Sequence, residues 1–81
     1  MRIKTQIAKA IASDTFHKNW RQVAKHTKEA GRILKIDTVL SGWGPISWGK
    51  DSMDRARYML SEMDIQSIRH DGQRTLTIIL N

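Results

Sequence analysis

The chain has 81 residues, a formal net charge of +6 and no cysteine. A chain of this length is expected to form one domain over residues 1–81, with a core too small to enclose a deep catalytic cleft as well. The absence of cysteine excludes disulfides and thiolate metal sites. Residues 1–35 contain nine Lys and Arg against two acidic residues, whereas residues 36–81 contain five against six. A polyanionic partner is therefore expected to meet the N-terminal half first.

Two helices are predicted in the N-terminal half. Apolar residues at helical spacing predict the first over about residues 2–12. The second is predicted over about residues 15–30, because Trp20 and Val23 fall on one face and Gly31 supplies a C-terminal stop. The next residues, 32–41, fit a helix or a strand, and we favour a short strand or an irregular segment.

Five cations repeat along the second predicted helix at intervals of three and four residues, which places them within an arc of about 80°. They are Lys18, Arg21, Lys25, Lys28 and Arg32. Like charges at this spacing destabilise a helix unless a polyanion neutralises them. The stripe therefore predicts contact with nucleic-acid phosphate, with a solvated face or an acidic protein or membrane surface as the alternatives.

A glycine-rich loop with the single proline is predicted over residues 41–50. Trp43 and Trp48 flank that proline, where they would close the core, stack on unpaired bases or anchor a protein interface. A third helix is predicted over about residues 52–63, capped by Asp51 or Ser52.

The chain ends in a predicted β-hairpin whose turn is Asp71-Gly72. A two-residue type I′ turn there would place Arg69 opposite Arg74 and turn His70 to the opposite, more polar face. Two facing arginines would repel unless an anion such as a phosphate oxygen lay between them. Protection of the hairpin tip against aggregation is the alternative explanation.

The segment "SMDRARYMLSEMDIQSIRHDGQRTLTIIL" joins a helix, an Ile-containing strand, a basic Asp-Gly turn and an alternating Leu/Ile strand. This order resembles the final helix and wing of winged helix-turn-helix proteins. The resemblance implies an α+β fold of three helices followed by a C-terminal β-hairpin, with the last helix in the DNA major groove and the wing tip on phosphate. Carried over by position, it implies helix contacts by Arg55, Arg57 and Tyr58 and wing contacts by Arg69, His70, Gln73 and Arg74.

The sequence offers little for catalysis. The three histidines lack metal-ligand spacing, and no nucleophile motif or phosphate-binding glycine loop is present. We therefore expect no enzymatic activity, no metal and no cofactor. No signal-peptide core or membrane span can be drawn, so we expect a cytoplasmic protein without a membrane partner.

The favoured function is nucleic-acid binding, to duplex DNA in preference to RNA, as a transcription regulator or architectural protein. The alternative is a small phage or mobile-element protein that inhibits a larger nucleic-acid-processing or defence assembly, as anti-CRISPR proteins do. Its protein interface would be built around Trp43, Trp48 and Tyr58. The oligomeric state is left open.

Overall fold

The computed structural model describes residues 3–14, 19–42 and 50–81. These residues form three helices and a four-stranded antiparallel sheet with strand order β1-β2-β4-β3. The elements are α1 (Ile3–Asp14), α2 (Trp20–Lys25), β1 (Thr27–Ala30), β2 (Ile33–Asp37), α3 (Lys50–Met59), β3 (Ile65–His70) and β4 (Thr75–Leu80). The fold is therefore α+β, with three helices in the described residues, but α3 lies between two strand pairs and does not simply precede a hairpin.

The first strand pair is a hairpin with a two-residue loop. Ala30 pairs with Ile33, which leaves Gly31 and Arg32 to make the turn. Gly31 has a φ of 62°, and a glycine with positive φ at the first loop position is characteristic of a type II′ turn. The short strand favoured for residues 32–41 is thus confirmed as β2, which is also a central strand of the sheet.

The predicted second helix is wrong beyond Lys25. The hydroxyl of Thr27 donates to the carbonyl of Val23 at 2.6 Å, and the chain then leaves the helix and pairs as β1. Residues 28–30 are Lys, Glu and Ala, which favour helices, so their pairing with β2 overrides their local propensity.

The loop between β3 and β4 is longer than the turn predicted at Asp71 and Gly72. The amide of Asp71 donates to the carbonyl of Thr75 at 3.1 Å, so three residues span the tip. The Asp71 carboxylate accepts the amides of Gln73, Arg74 and Thr75 at 2.8, 2.9 and 3.2 Å. An aspartate that binds successive amides in this way specifies the loop, and the predicted type I′ turn is wrong.

The longer loop changes the register of β3 against β4. Arg69 lies opposite Thr77, not opposite its predicted partner Arg74. Because successive strand residues alternate between faces, Ile68 and His70 point to the side opposite Arg69, which is the side of the core. The predicted orientation of His70 is therefore wrong.

The core lies between the helices and one face of the sheet. Its fully buried apolar side chains are Ile7, Ala8, Ile11, Val23, Leu34, Ile36, Ala56, Leu60, Leu76 and Ile78. Leu34 and Ile36 alternate with exposed residues along β2, as a strand with one buried face requires.

The first predicted helix is confirmed as α1, and the third as α3, which ends at Met59 because residues 60–63 form turns. In the described parts of the chain, no helix is both long and apolar enough to cross a membrane.

Candidate nucleic-acid interface

One face of the sheet points away from the helices, and we call it the open face. Its side chains alternate with the core residues along each strand, and none of them is buried. They are Lys28, Ala30, Ile33, Lys35, Asp37, Ser67, Arg69, Thr75, Thr77 and Ile79. The face is therefore a four-strand surface with cationic, small polar and aliphatic side chains.

Three cations of the open face fall on one line across all four strands. Lys28 pairs with Lys35, Lys35 pairs with Thr77, and Thr77 pairs with Arg69. We call Lys28, Lys35 and Arg69 the cation row. Neighbouring strands are about 4.8 Å apart, so the row extends over about 14 Å.

The cation row is not neutralised from within the described part of the chain. No described carboxylate forms an ion pair with Lys28, Lys35 or Arg69. Lys28 and Lys35 are in addition direct cross-strand neighbours, an arrangement of like charges that destabilises a sheet. The row therefore presents positive charge at a cost to the fold.

Arg74 does not share the role of Arg69. Its guanidinium lies 2.7 Å from a carboxylate oxygen of Asp37, an ion pair that joins the β3–β4 loop to the end of β2. Burial raises the pKa of Asp37, but hydrogen bonds from the Leu40 amide and from Arg74, together with the charge of Arg74, outweigh burial and lower it. Arg74 is thus engaged with a carboxylate, while Gln73 is an exposed residue of the same loop.

His70, predicted as a wing contact, is turned inward. Only 2% of its side chain is exposed, and its Nδ1 accepts the Gly72 amide at 3.0 Å. Its Nε2 lies 3.2 Å from the hydroxyl of Thr38. Burial lowers the pKa of His70, and the nearby Asp71 carboxylate opposes that effect only in part. The residue therefore supports the loop and is not available for contact with a partner.

The predicted helical stripe is divided between two sides of the molecule. Arg21 and Lys25 are exposed on α2, whereas Lys28 belongs to the open face and Arg32 to the β1–β2 turn. Lys18 lies outside the described residues. The prediction of one continuous stripe is wrong because the helix that would carry it ends at Lys25.

A second group of cations lies on the helical side, where two of them contact the ring of Trp20. The Nζ atom of Lys9 lies 4.7 Å from the centroid of the Trp20 ring, and the guanidinium carbon of Arg21 lies 4.8 Å from it. Lys25 is one helical turn beyond Arg21. We call Lys9, Arg21 and Lys25 the helix-side cluster.

The residues predicted on the third helix are at the surface. Arg55 and Arg57 are exposed, and Tyr58 is 78% exposed. Asp54 lies 3.4 Å from Arg57 and 3.8 Å from Lys50, so the outer side of α3 contains cations paired with a carboxylate. Trp43 and Trp48 lie outside the described residues, and the predictions made for them are not tested.

Helical spacing does not identify Lys35, because this lysine lies on a strand. The signal was present: Lys35 stands between Leu34 and Ile36, so a strand that buries both must expose the lysine. Its alignment with Lys28 and Arg69 could not be predicted, because it depends on pairing between distant strands.

Across residues 3–14, 19–42 and 50–81, no group of three His, Asp or Glu side chains is placed to hold a metal ion.

No family model matches the chain, and no curated protein or solved structure is significantly similar to it. The resemblance of residues 52–80 to winged helix-turn-helix proteins therefore stays a prediction.

Proposed function

We propose that the chain binds duplex DNA through the open face of its sheet. The observation that carries this proposal is the cation row, in which Lys28, Lys35 and Arg69 are aligned across four strands without a described carboxylate partner. Each phosphate that such a cation neutralises releases condensed counterions, which favours binding. The same contact would relieve the repulsion between Lys28 and Lys35.

The composition of the open face favours a duplex over a single strand. Its ten side chains include no aromatic ring, and stacking on aromatic rings is the usual means of holding unpaired bases. The backbone positions of Lys28 and Arg69 are three strand spacings, about 14 Å, apart. This distance is close to the width of about 12 Å of the major groove of B-DNA. In this arrangement the two ends of the row contact the phosphates on the two rims of a groove. Such contacts position a protein without selecting a sequence.

The test is the salt dependence of binding to a fluorescently labelled duplex, measured by anisotropy. The Lys35→Gln/Arg69→Gln variant removes two phosphate contacts, so its affinity at low salt should fall by about tenfold or more and its log–log salt slope should flatten by about 1.8. Lys50→Glu, which changes the net charge by the same amount on the outer side of α3, is the matched control and should bind as the unmodified chain does. Unchanged affinity in the double variant would overturn the proposal.

A winged-helix-like use of α3 and the β3–β4 loop is the alternative form of DNA binding. It would rest on Arg55, Arg57 and the exposed ring of Tyr58. We favour the open face because Arg57 is paired with Asp54, whereas the cation row has no such described partner. If Arg57→Gln and Tyr58→Ala weakened duplex binding more than Lys35→Gln/Arg69→Gln, the winged-helix-like mode would be supported instead.

The open face also has a row of mostly apolar side chains beside the cation row, and the two rows together suit a protein partner with an acidic surface. Ala30, Ile33, Ile79 and Ser67 pair across the sheet in the row next to the cations, and Ile33 is 41% exposed. We therefore propose inhibition of a larger assembly by protein contact as the second candidate function. A pull-down from cell extract with and without nuclease separates the two: a complex that survives nuclease treatment, together with no binding to purified duplex, would support the protein partner.

A further inference from the structure

We propose that one molecule of this chain holds two duplex segments at once, the first on the cation row and the second on the helix-side cluster. The inference rests on the proposed function, since it assigns a second duplex to a molecule that already binds one. It goes further by making the protein a bridge between DNA segments.

The two basic surfaces lie on opposite sides of the core. Val23 of α2 is completely buried, and Arg21 and Lys25 are each about 160° from it around the helix axis. Their side chains therefore point away from the core on the helical side. Lys28 and the rest of the cation row point away from the same core on the far side of the sheet.

The two surfaces face different directions, so one straight duplex does not lie along both of them. DNA has a persistence length of about 150 base pairs, so a short duplex that lies on the open face does not wrap around a domain of this size without a large bending cost. In this proposal each surface is occupied by a separate segment.

Trp20 concentrates charge on the helical side without cancelling it. The electron-rich face of an indole attracts cations, and Lys9 and Arg21 lie 4.7 and 4.8 Å from the ring centroid. A carboxylate in the same place would neutralise them, as Asp54 does for Lys50 and Arg57. Among the described residues no carboxylate forms an ion pair with Lys9, Arg21 or Lys25, so the cluster presents positive charge to an external anion.

The surface beside the cluster is shaped and lined in keeping with a phosphate backbone. An open depression of about 390 Å³ lies against α2, lined by Asn19, Arg21, Gln22, Lys25 and His26. All five lining residues have side chains that can donate a hydrogen bond, and none is acidic. Phosphate groups are recognised by such donors together with Lys and Arg.

The test is a capture experiment with two duplexes of unrelated sequence. One is immobilised on beads, the other carries a fluorophore, and the protein is added at about 50 mM salt, where phosphate contacts are strong. The unmodified chain should retain the labelled duplex on the beads. Arg21→Gln/Lys25→Gln should bind a single duplex within about threefold of the unmodified chain and lose about tenfold or more of the capture.

Two further variants keep the result interpretable. Lys9→Gln changes the cluster from α1 without altering α2, and it should reduce capture in the same direction. Lys50→Glu matches the charge change of the double variant at a different place and should leave capture unchanged. Circular dichroism of each variant verifies that the fold is retained.

The outcomes separate this inference from the function on which it rests. If the unmodified chain binds no duplex, the proposed function fails and the bridge fails with it. If it binds one duplex but captures no second, only the bridge is overturned. Capture that persists in Arg21→Gln/Lys25→Gln also overturns it, because the second duplex is then held elsewhere, for example by a second copy of the protein.

Discussion

The buried imidazole of His70 has both ring nitrogens engaged as a neutral group. The Thr38 hydroxyl donates its hydrogen to the carbonyl of Arg74 at 2.7 Å, so its oxygen is left to accept from Nε2 of His70 at 3.2 Å. That assigns the ring hydrogen to Nε2 and leaves Nδ1 to accept the Gly72 amide. Thr38, which is 32 residues from His70 in the sequence, thereby fixes one tautomer of the ring and helps to fix the loop conformation.

Thr38 is the residue on which this network depends, because its side chain is both a donor and an acceptor in it. Thr38→Val keeps the shape and removes the hydroxyl, which leaves the buried Nε2 hydrogen of His70 without that acceptor. We expect a loss of about 1–3 kcal/mol in the free energy of unfolding, measured by urea denaturation. Thr77→Val on the open face is the matched control and should change stability by about 0.5 kcal/mol or less. Equal stability of the two variants would contradict the role assigned to Thr38.

The burial of some residues could be predicted from the sequence, whereas the burial of others could not. The burial of Leu34 and Ile36 follows from their alternation, and the exposure of Lys35 between them follows as well. The inward position of His70 does not, because it depends on a register set by the Asp71 side chain. A polar residue near a turn is ordinarily expected in solvent, so no local signal indicates that this one is buried.

Among the elements, the β1–β2 hairpin shows most clearly that the cation row costs stability. Lys28 and Lys35 occupy directly opposed positions in it. Two residues that face each other across a strand pair stabilise it when their charges are opposite in sign and destabilise it when their charges have the same sign. A hairpin selected only for stability would place a Glu at one of the two positions.

Lys28→Glu should therefore stabilise the fold and weaken DNA binding in the same molecule. We expect the free energy of unfolding to rise by about 0.5 kcal/mol, because the new carboxylate lies opposite Lys35. Affinity for duplex should fall, because a phosphate contact is replaced by repulsion. Urea denaturation and anisotropy measure the two effects on one sample. Lys28→Gln should be intermediate in both, and a variant that loses stability and affinity together would point to simple unfolding.

The same hairpin marks the limit of prediction at the level of elements. Helices α1 and α3 follow from apolar spacing, and the central strand β2 from alternation. The segment before Gly31 contains good helix formers, and its pairing as β1 depends on a type II′ turn and on a partner strand beyond that turn. Local propensity is weaker than such pairing, which is why the predicted helix over residues 15–30 was too long.

For the molecule as a whole, the arrangement of the two hairpins could not be predicted from any segment alone. Residues 33–37 pair with residues 75–79, and this contact places β2 beside β4 at the centre of the sheet. Nothing local specifies such a distant partner. The α+β class was therefore predictable, whereas the four-strand surface on which the candidate site lies was not.

The stability of the whole fold should depend on pH in two separate ranges. The pKa of His70 is lowered by burial, so above the unfolded value of about 6.5 its contribution to stability is fully present, and it is lost as the pH falls below that value toward the folded pKa. Asp37 and Asp71 have lowered pKa values because backbone amides bind their carboxylates, with Arg74 adding to the effect at Asp37. Their contributions are present above the unfolded value of about 3.8 and are lost as the pH falls through the folded values.

Urea denaturation at a series of pH values should therefore show stability declining first below about pH 6.5 and again below about pH 4. His70→Gln removes the titrating ring, so the first decline should become smaller in that variant while the second remains. A profile that is flat between pH 7 and pH 5 in the unmodified chain would contradict the assignment of a neutral, buried His70.

The central pairing of β2 with β4 also determines when the candidate binding surface comes into existence. Lys28 and Lys35 belong to the first hairpin and Arg69 to the second, so the row is incomplete until strands about forty residues apart in the chain have paired. Contacts between such distant residues form late and slowly during folding, because the entropy of closing the loop must be lost first. The row is therefore complete only when β2 and β4 have paired, and a chain in which only the two hairpins have formed presents two separate patches of charge where the folded protein presents one.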